Sequence, residues 1–247
     1  GPMAGQARAE PPPACPAGAP VVRLAVVDPE PVESGALSVD ELHRETGQPR
    51  SATMHHLGLT TSRVEWRSEV ETSYRSSESG VCARPAVVTL NLVQTEHLVR
   101  VAREIPADGC LWREVLAHER RHVAVNRQTL RQAGARAQAA AVAWGARAEG
   151  HGATLDEAMG QLQQGLRRAL EPALAAMRAA REAAHREIDT QAEYRRLSRI
   201  CLEDQRVLRG PLRPPMVSQV PGVSQPPGVP QVPGMPQVPG VSRPPTP

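Results

Sequence analysis

The chain lacks two residue types outright. Phenylalanine is absent, and only three tryptophans and two tyrosines occur among 247 residues. Any core must therefore be built from Leu, Val, Ala and Ile, which favours close helix packing through small side chains. Lysine is absent too, so all 29 basic side chains are arginines. They are interspersed with Asp and Glu along helical patterns, few aromatics lie among them, and the net charge is only +3. That is not the basic, stacking groove of a nucleic-acid reader, and no nucleic-acid partner is expected. No run of 18 apolar residues occurs, so no membrane span is expected. No CxxC pair occurs, which argues against a thiolate zinc finger. No Gly-rich phosphate loop follows a strand, and GxSxG is missing.

What is present begins with four cysteines, Cys15, Cys82, Cys110 and Cys201. An even, widely spaced set suits two disulfides in an oxidising compartment, so a secreted or periplasmic location is expected. Three pairings are open. The favoured one joins Cys82 to Cys110, bracing the approach to a long helix, and Cys15 to Cys201, tying the N-terminal arm to the last helix. The alternative is four free thiols in a cytosolic protein. Ala7-Arg8-Ala9 has the A-x-A form of a signal-peptide end, and Gly1-Pro2 before Met3 reads as a tag-cleavage remnant.

Three regions follow from composition. Residues 1–20 are rich in Pro, Ala and Gly and read as a flexible arm. Residues 21–205 read as one domain. Residues 206–247 read as a disordered tail in which a Pro/Gly/Val hexapeptide recurs (VPGVSQ, PPGVPQ, VPGMPQ, VPGVSR), suited to a spacer or a tether to a partner.

Within the domain, "VVRLAVVD" (21–28) reads as a strand, 38–45 as a short helix, 55–75 as one or two strands and "AVVTLNLVQT" as a strand, with Ser79-Gly80 as a turn before it. From Leu111 to about Ala148 every window is helix-forming. "EGHGAT" (149–154) is the break, with Thr154 and Glu157 as a capping box. A second helix is expected from Leu155 to about Leu202, with Pro172 as a candidate kink. The expected fold is α+β: a small, mostly antiparallel sheet packed on a long antiparallel helical hairpin, zincin-like.

The first helix carries "LAHERRHVAV", with His118-Glu119-Arg120-Arg121-His122 as HExxH. Residues at i and i+4 share a helix face. Two imidazoles there can reach one ion, and the intervening Glu can act as general base. Apolar neighbours Val115, Leu116, Ala117, Val123 and Val125 predict that this face is buried. A third ligand comes from the second helix. If the turn centres near 150–152, facing residues sum to about 303 on two straight helices, which sets His118 opposite residue 185 and His122 opposite 181. His185 is the first candidate, Asp189 the second. Asp189 can alternatively hold a ligating imidazole from outside. Tyr194 is a candidate oxyanion donor. "AVVTLNL" is expected as the edge strand for substrate. His43, His55, His56 and His97 read as surface residues, and His151 lies in the turn, away from the ion.

"VEWRSEVETSYR", "CARPAVVTLNL", "CLWREVLAHERRHVAV" and "HREIDTQAEYRR" together resemble a family of bacterial proteins described as predicted secreted zinc-dependent proteases, over roughly residues 55–200. The resemblance implies Zn2+, export, His118 and His122 as ligands, Glu119 as base and a functional role for Asp189. Where those proteins continue from this Asp to Thr-x-His-Gly, this chain reads Asp189-Thr190-Gln191-Ala192-Glu193-Tyr194.

The expected function is a zinc metallopeptidase that hydrolyses a peptide or protein substrate through a zinc-bound water activated by Glu119. The alternative is a non-enzymatic helical-hairpin interaction module or zinc-binding protein, supported by the long Ala/Arg/Glu helices and the repetitive tail.

Overall fold

The computed structural model describes residues 5–47 and 57–209. The hexapeptide repeats and His55-His56 lie outside the described residues. Two long strands organise the sheet, β3 (Gly58–Ser77) and β4 (Gly80–Val101). They pair antiparallel along their whole length across the turn at Glu78-Ser79. Gly80 closes that turn at φ 138, where a side chain would also meet the Gly152 carbonyl at 2.9 Å.

The other edge of β4 is taken by three short strands. β1 (Val21–Val27) and β2 (Val32–Ser34) run parallel to β4, and β5 (Gly150–Gly152) runs antiparallel. Val21 pairs with Val87 and Val32 with Leu98. The offset is 66 in both cases (87 − 21 and 98 − 32). So β1 and β2 are one interrupted strand in one register. Pro29 and Pro31 stand in the gap, and proline offers no N–H to a ladder.

The expected mostly antiparallel sheet is therefore corrected to a mixed one, with β1-β4-β2 joined by parallel ladders. Alternation of apolar residues is the same in both directions, so periodicity says nothing of strand sense. The expected edge strand is corrected as well. β4 is central, and among the described residues β3 pairs only with β4.

The helices are α1 (Val39–Thr46), α2 (Cys110–Gly145), α3 (Leu155–Ile188), α4 (Gln191–Arg199) and α5 (Leu202–Arg209). The plain two-helix hairpin is also corrected. The link from α2 to α3 is drawn into the sheet as β5, and the expected helix from 155 to 202 is broken at Asp189. Pro172 lies inside α3 without ending it. The break at Asp189 has a local cause: the Thr190 hydroxyl accepts from Glu193 N–H at 3.1 Å and caps α4.

Val64, Trp66, Val88, Leu90 and Leu92 of the sheet face Leu130, Ala133, Ala137 and Ala141 of α2 and Leu166, Leu170, Leu174 and Met177 of α3. A second core, with Val99, Leu111 and Val115, lies under the start of α2.

The disulfides join Cys15 to Cys82 and Cys110 to Cys201, correcting the expected Cys82–Cys110 and Cys15–Cys201. The N-terminal arm lies across the far end of β4, where Ser79 Oγ donates to the Pro11 carbonyl at 3.0 Å. The chain after α4 returns to the start of α2, where Asp204 Oδ2, in the first turn of α5, accepts from Leu111 N–H at 2.9 Å. Each cysteine thus meets the partner its own half supplies.

Candidate metal centre

One stripe of α2 carries the centre. His118, His122 and Asn126 follow at i, i+4 and i+8, all buried, with Thr129 and Ala133 continuing the stripe. The break after α3 turns Asp189 onto this stripe. Its Oδ1 lies 2.9 Å from His118 Nε2 and 2.9 Å from His122 Nε2. His118, His122 and Asp189 are the three residues whose donor atoms lie together, all within 4.8 Å of one another and all buried.

This donor set fits a divalent ion. His118 presents Nε2 to Asp189 and Nδ1 to Glu193 Oε1 at 3.2 Å. With two carboxylates on one ring, Nδ1–H donates to Glu193 while Nε2 is left for a ligand, the usual carboxylate–imidazole–metal arrangement. Two imidazole nitrogens and one carboxylate oxygen are also what catalytic zinc sites use, with a position left open. A second group, Cys15, Cys82, Glu149 and His151, is close enough to hold an ion. Its sulfurs are bonded to each other, so they are not thiolates.

His185 stands behind His122 rather than beside it. Its Nδ1 is 2.7 Å from His122 Nδ1, on the opposite side of that ring from Asp189. The expectation that His185 faces His118 is therefore corrected: His118 meets Asp189 and His122 meets His185. Both pairs sum to 307, one helical turn from 303. β5 carries the link along the sheet before α3 begins, so the equal-rise assumption fails by that turn.

Glu119 is buried, and its Oε2 accepts from the Thr60 hydroxyl at 2.6 Å. Burial pushes the carboxyl up, against the pull of His122, His118 and the Thr60 hydrogen bond. Gly58 makes room for it: a Cβ there would meet Val115 Cγ1 at 2.8 Å and Glu119 Cγ at 2.9 Å.

Burial works against a proton on His118, but Asp189, Glu119 and Glu193 outweigh it, and its pKa is raised. Burial likewise opposes charge on Asp189, yet the hydrogen bonds to His118 and His122 win and its pKa is lowered. Glu193 is held down at about 2, first by Arg196 and also by His118.

Tyr194 in α4 packs its ring 6.4 Å from that of His118. Burial first, then the charges of Asp189 and Glu119, push its hydroxyl far above the usual phenol range. It therefore keeps its proton and remains a donor. His151 sits beside the Cys15–Cys82 disulfide, with Nε2 3.9 Å from Cys82 Sγ. His43 and His97, expected at the surface, are buried.

Thr60, Asn126 and His97 are features of the site that sequence reasoning passes over. Asn126 has a signal, since it lies four residues after His122. Thr60 has none, because its partner is 59 residues away.

No protein-family model, curated protein or solved structure matches this chain.

Proposed function

We propose that the protein is a zinc-dependent peptidase whose ion is held by His118, His122 and Asp189. The observation that carries this reading is the convergence of both HExxH Nε2 atoms on Asp189 Oδ1 at 2.9 Å. A bound zinc ion would polarise the scissile carbonyl and acidify the attacking water.

The chain's own residues supply the rest. Glu119, on the turn between the two histidines, takes the proton of the attacking water and passes it to the leaving amine. Its raised pKa suits a group that must both accept and release a proton. Tyr194, which keeps its proton, donates to the oxyanion that develops on the substrate. Among the described residues β3 pairs only with β4, and its other edge, which begins at Gly58 against Glu119, would offer backbone hydrogen bonds to an extended peptide. The two disulfides support an oxidising, secreted or periplasmic setting. No described helix is long and apolar enough to cross a membrane.

The test is zinc content per chain by elemental mass spectrometry, together with turnover of a quenched peptide library. Wild type is expected to hold one zinc and cleave. His118→Ala is expected to lose both. Glu119→Gln is expected to keep zinc and lose turnover by roughly 10²–10⁴-fold. Zinc without cleavage in wild type would reduce the reading to a metal-holding protein. No zinc after remetallation would end it.

A further inference from the structure

Behind the two histidines of α2 runs a file of buried hydrogen bonds. His122 Nδ1 lies 2.7 Å from His185 Nδ1. His185 Nε2 lies 3.0 Å from Asn126 Oδ1. Asn126 Nδ2 lies 3.2 Å from His97 Nε2. His122, His185 and Asn126 are 0 % exposed and His97 is 5 % exposed, so no bulk water substitutes for any of these contacts.

A neutral imidazole has one donor and one acceptor nitrogen, and a carboxamide has a donor end and an acceptor end. The file can therefore run in only two directions, and the orientation of Asn126 selects between them. Its Oδ1 faces His185 and can only accept. His185 must then carry its proton on Nε2 and a lone pair on Nδ1. That lone pair faces His122 Nδ1, which must donate to it. The Nε2 of His122 faces Asp189 Oδ1 at 2.9 Å, and an ion that takes the place of the proton bridging them would meet the His122 lone pair on Nε2. At the other end Nδ2 donates to His97 Nε2. His97 stays neutral there, since burial brings its pKa down to about 4.

With the amide turned over, every proton in the file would move. His122 would then carry hydrogen on Nε2 and could not ligate through it.

Asn126 is itself pinned. Its backbone carbonyl accepts from Arg181 Nη2 at 2.7 Å. Arg181 is fully buried and also donates to Thr129 Oγ1 at 2.7 Å, Gln94 Oε1 at 2.9 Å and Ser62 Oγ at 3.3 Å. One guanidinium thus fastens Asn126 to β3, β4 and α2 together.

We propose that Asn126 is a positioning residue that sets the tautomer of His122: acting through His185, it leaves the His122 lone pair on Nε2, ready for a zinc ion shared with His118 and Asp189. The proposal rests on the metal-centre reading above. It assigns His185 a role as a proton-ordering link between Asn126 and the ligand.

The test uses the full chain, with zinc affinity measured by competition against a chelating dye and histidine tautomers read by 15N NMR on zinc-loaded wild type. His185 is expected to show its proton on Nε2 and a bare Nδ1. Asn126→Leu removes the acceptor and is expected to weaken zinc by about 10–100-fold. Asn126→Asp keeps an acceptor toward His185 and is expected to retain wild-type affinity, although a new buried carboxylate is the change a purely structural site tolerates least.

A His185 proton found on Nδ1 overturns the proposal, and this measurement needs no variant to fold. Wild-type affinity in Asn126→Leu overturns it as well, while leaving the zinc site standing. So does an Asn126→Asp protein as weak as Asn126→Leu. Absence of zinc from wild type removes both the site and the relay.

Discussion

Asp189 Oδ1 takes two imidazole contacts, and the sign of each pKa shift there sets how the chelated protein responds to pH. His118 is raised above 6.5. Its stabilisation is complete below the unfolded value and is lost as pH rises through the folded one. Asp189 is lowered below 3.8. Its contribution is present above that value and is lost as pH falls through the folded one. The expected melting profile in chelator is therefore a plateau that declines on the alkaline side of the His118 pKa. Zinc should abolish that decline, because the ion replaces the proton. Differential scanning fluorimetry across pH, with chelator and with zinc, checks both arms, and a chelated profile with no decline on the alkaline side would contradict the assignment.

Thr60 gives a second prediction at this scale. Its hydroxyl holds Glu119 down, so Thr60→Val should raise the carboxyl further. The acid limb of the pH–rate profile should then move to higher pH, with the rate retained on the alkaline side. Leaving the buried oxygen without this partner should cost about 1–3 kcal/mol of stability, measurable by urea unfolding.

At the scale of elements, the approach of β3 to α2 is governed by the missing side chain at residue 58. Gly58→Ala would place a Cβ 2.8 Å from Val115 Cγ1 and 2.9 Å from Glu119 Cγ. Overpacking of this kind costs about 1–3 kcal/mol. It should also turn Glu119 aside, so catalysis should fall while zinc content is unchanged. Equal loss of zinc and turnover would show that the strand positions more than the base.

The elements differ in how far they can be read from the chain. α2 is legible because its i, i+4 stripe carries both histidines and an unbroken run of helix formers. The end of α3 is not, since Asp189 and Thr190 look like any polar pair until Thr190 is seen capping α4. That break, with the detour through β5, shifts the facing residues by a turn and exchanges His185 for Asp189 beside His118. β3 and β4 are legible as strands. The parallel sense of β1 and β2 is not, because pairing direction leaves no trace in alternation. The Asn126 file depends on four residues from β4, α2 and α3 that only tertiary packing assembles.

For the molecule as a whole, the disulfides divide the labour. Cys110–Cys201 ties the start of α2 to the loop after α4, and so holds Glu193 and Tyr194 over the HExxH turn. Cys15–Cys82 sits at the opposite end of β4. Loss of either should cost about 2–5 kcal/mol. Only Cys201→Ser should also weaken zinc, and Cys15→Ser should leave zinc affinity as in wild type. Paired thermal melts and zinc titrations separate the two. An equal loss of affinity in both variants would mean that the sheet transmits strain along its full length.

The pairing has one more consequence, for synthesis rather than for the finished fold. Each bond joins cysteines that are neighbours along the chain, first with second and third with fourth. A polypeptide threaded N-terminus first into an oxidising compartment would present Cys82 after Cys15 and before Cys110 and Cys201. The sheet half can be sealed before Cys110 or Cys201 arrives. Emergence in this order would favour the native bonds over the two crossed pairings.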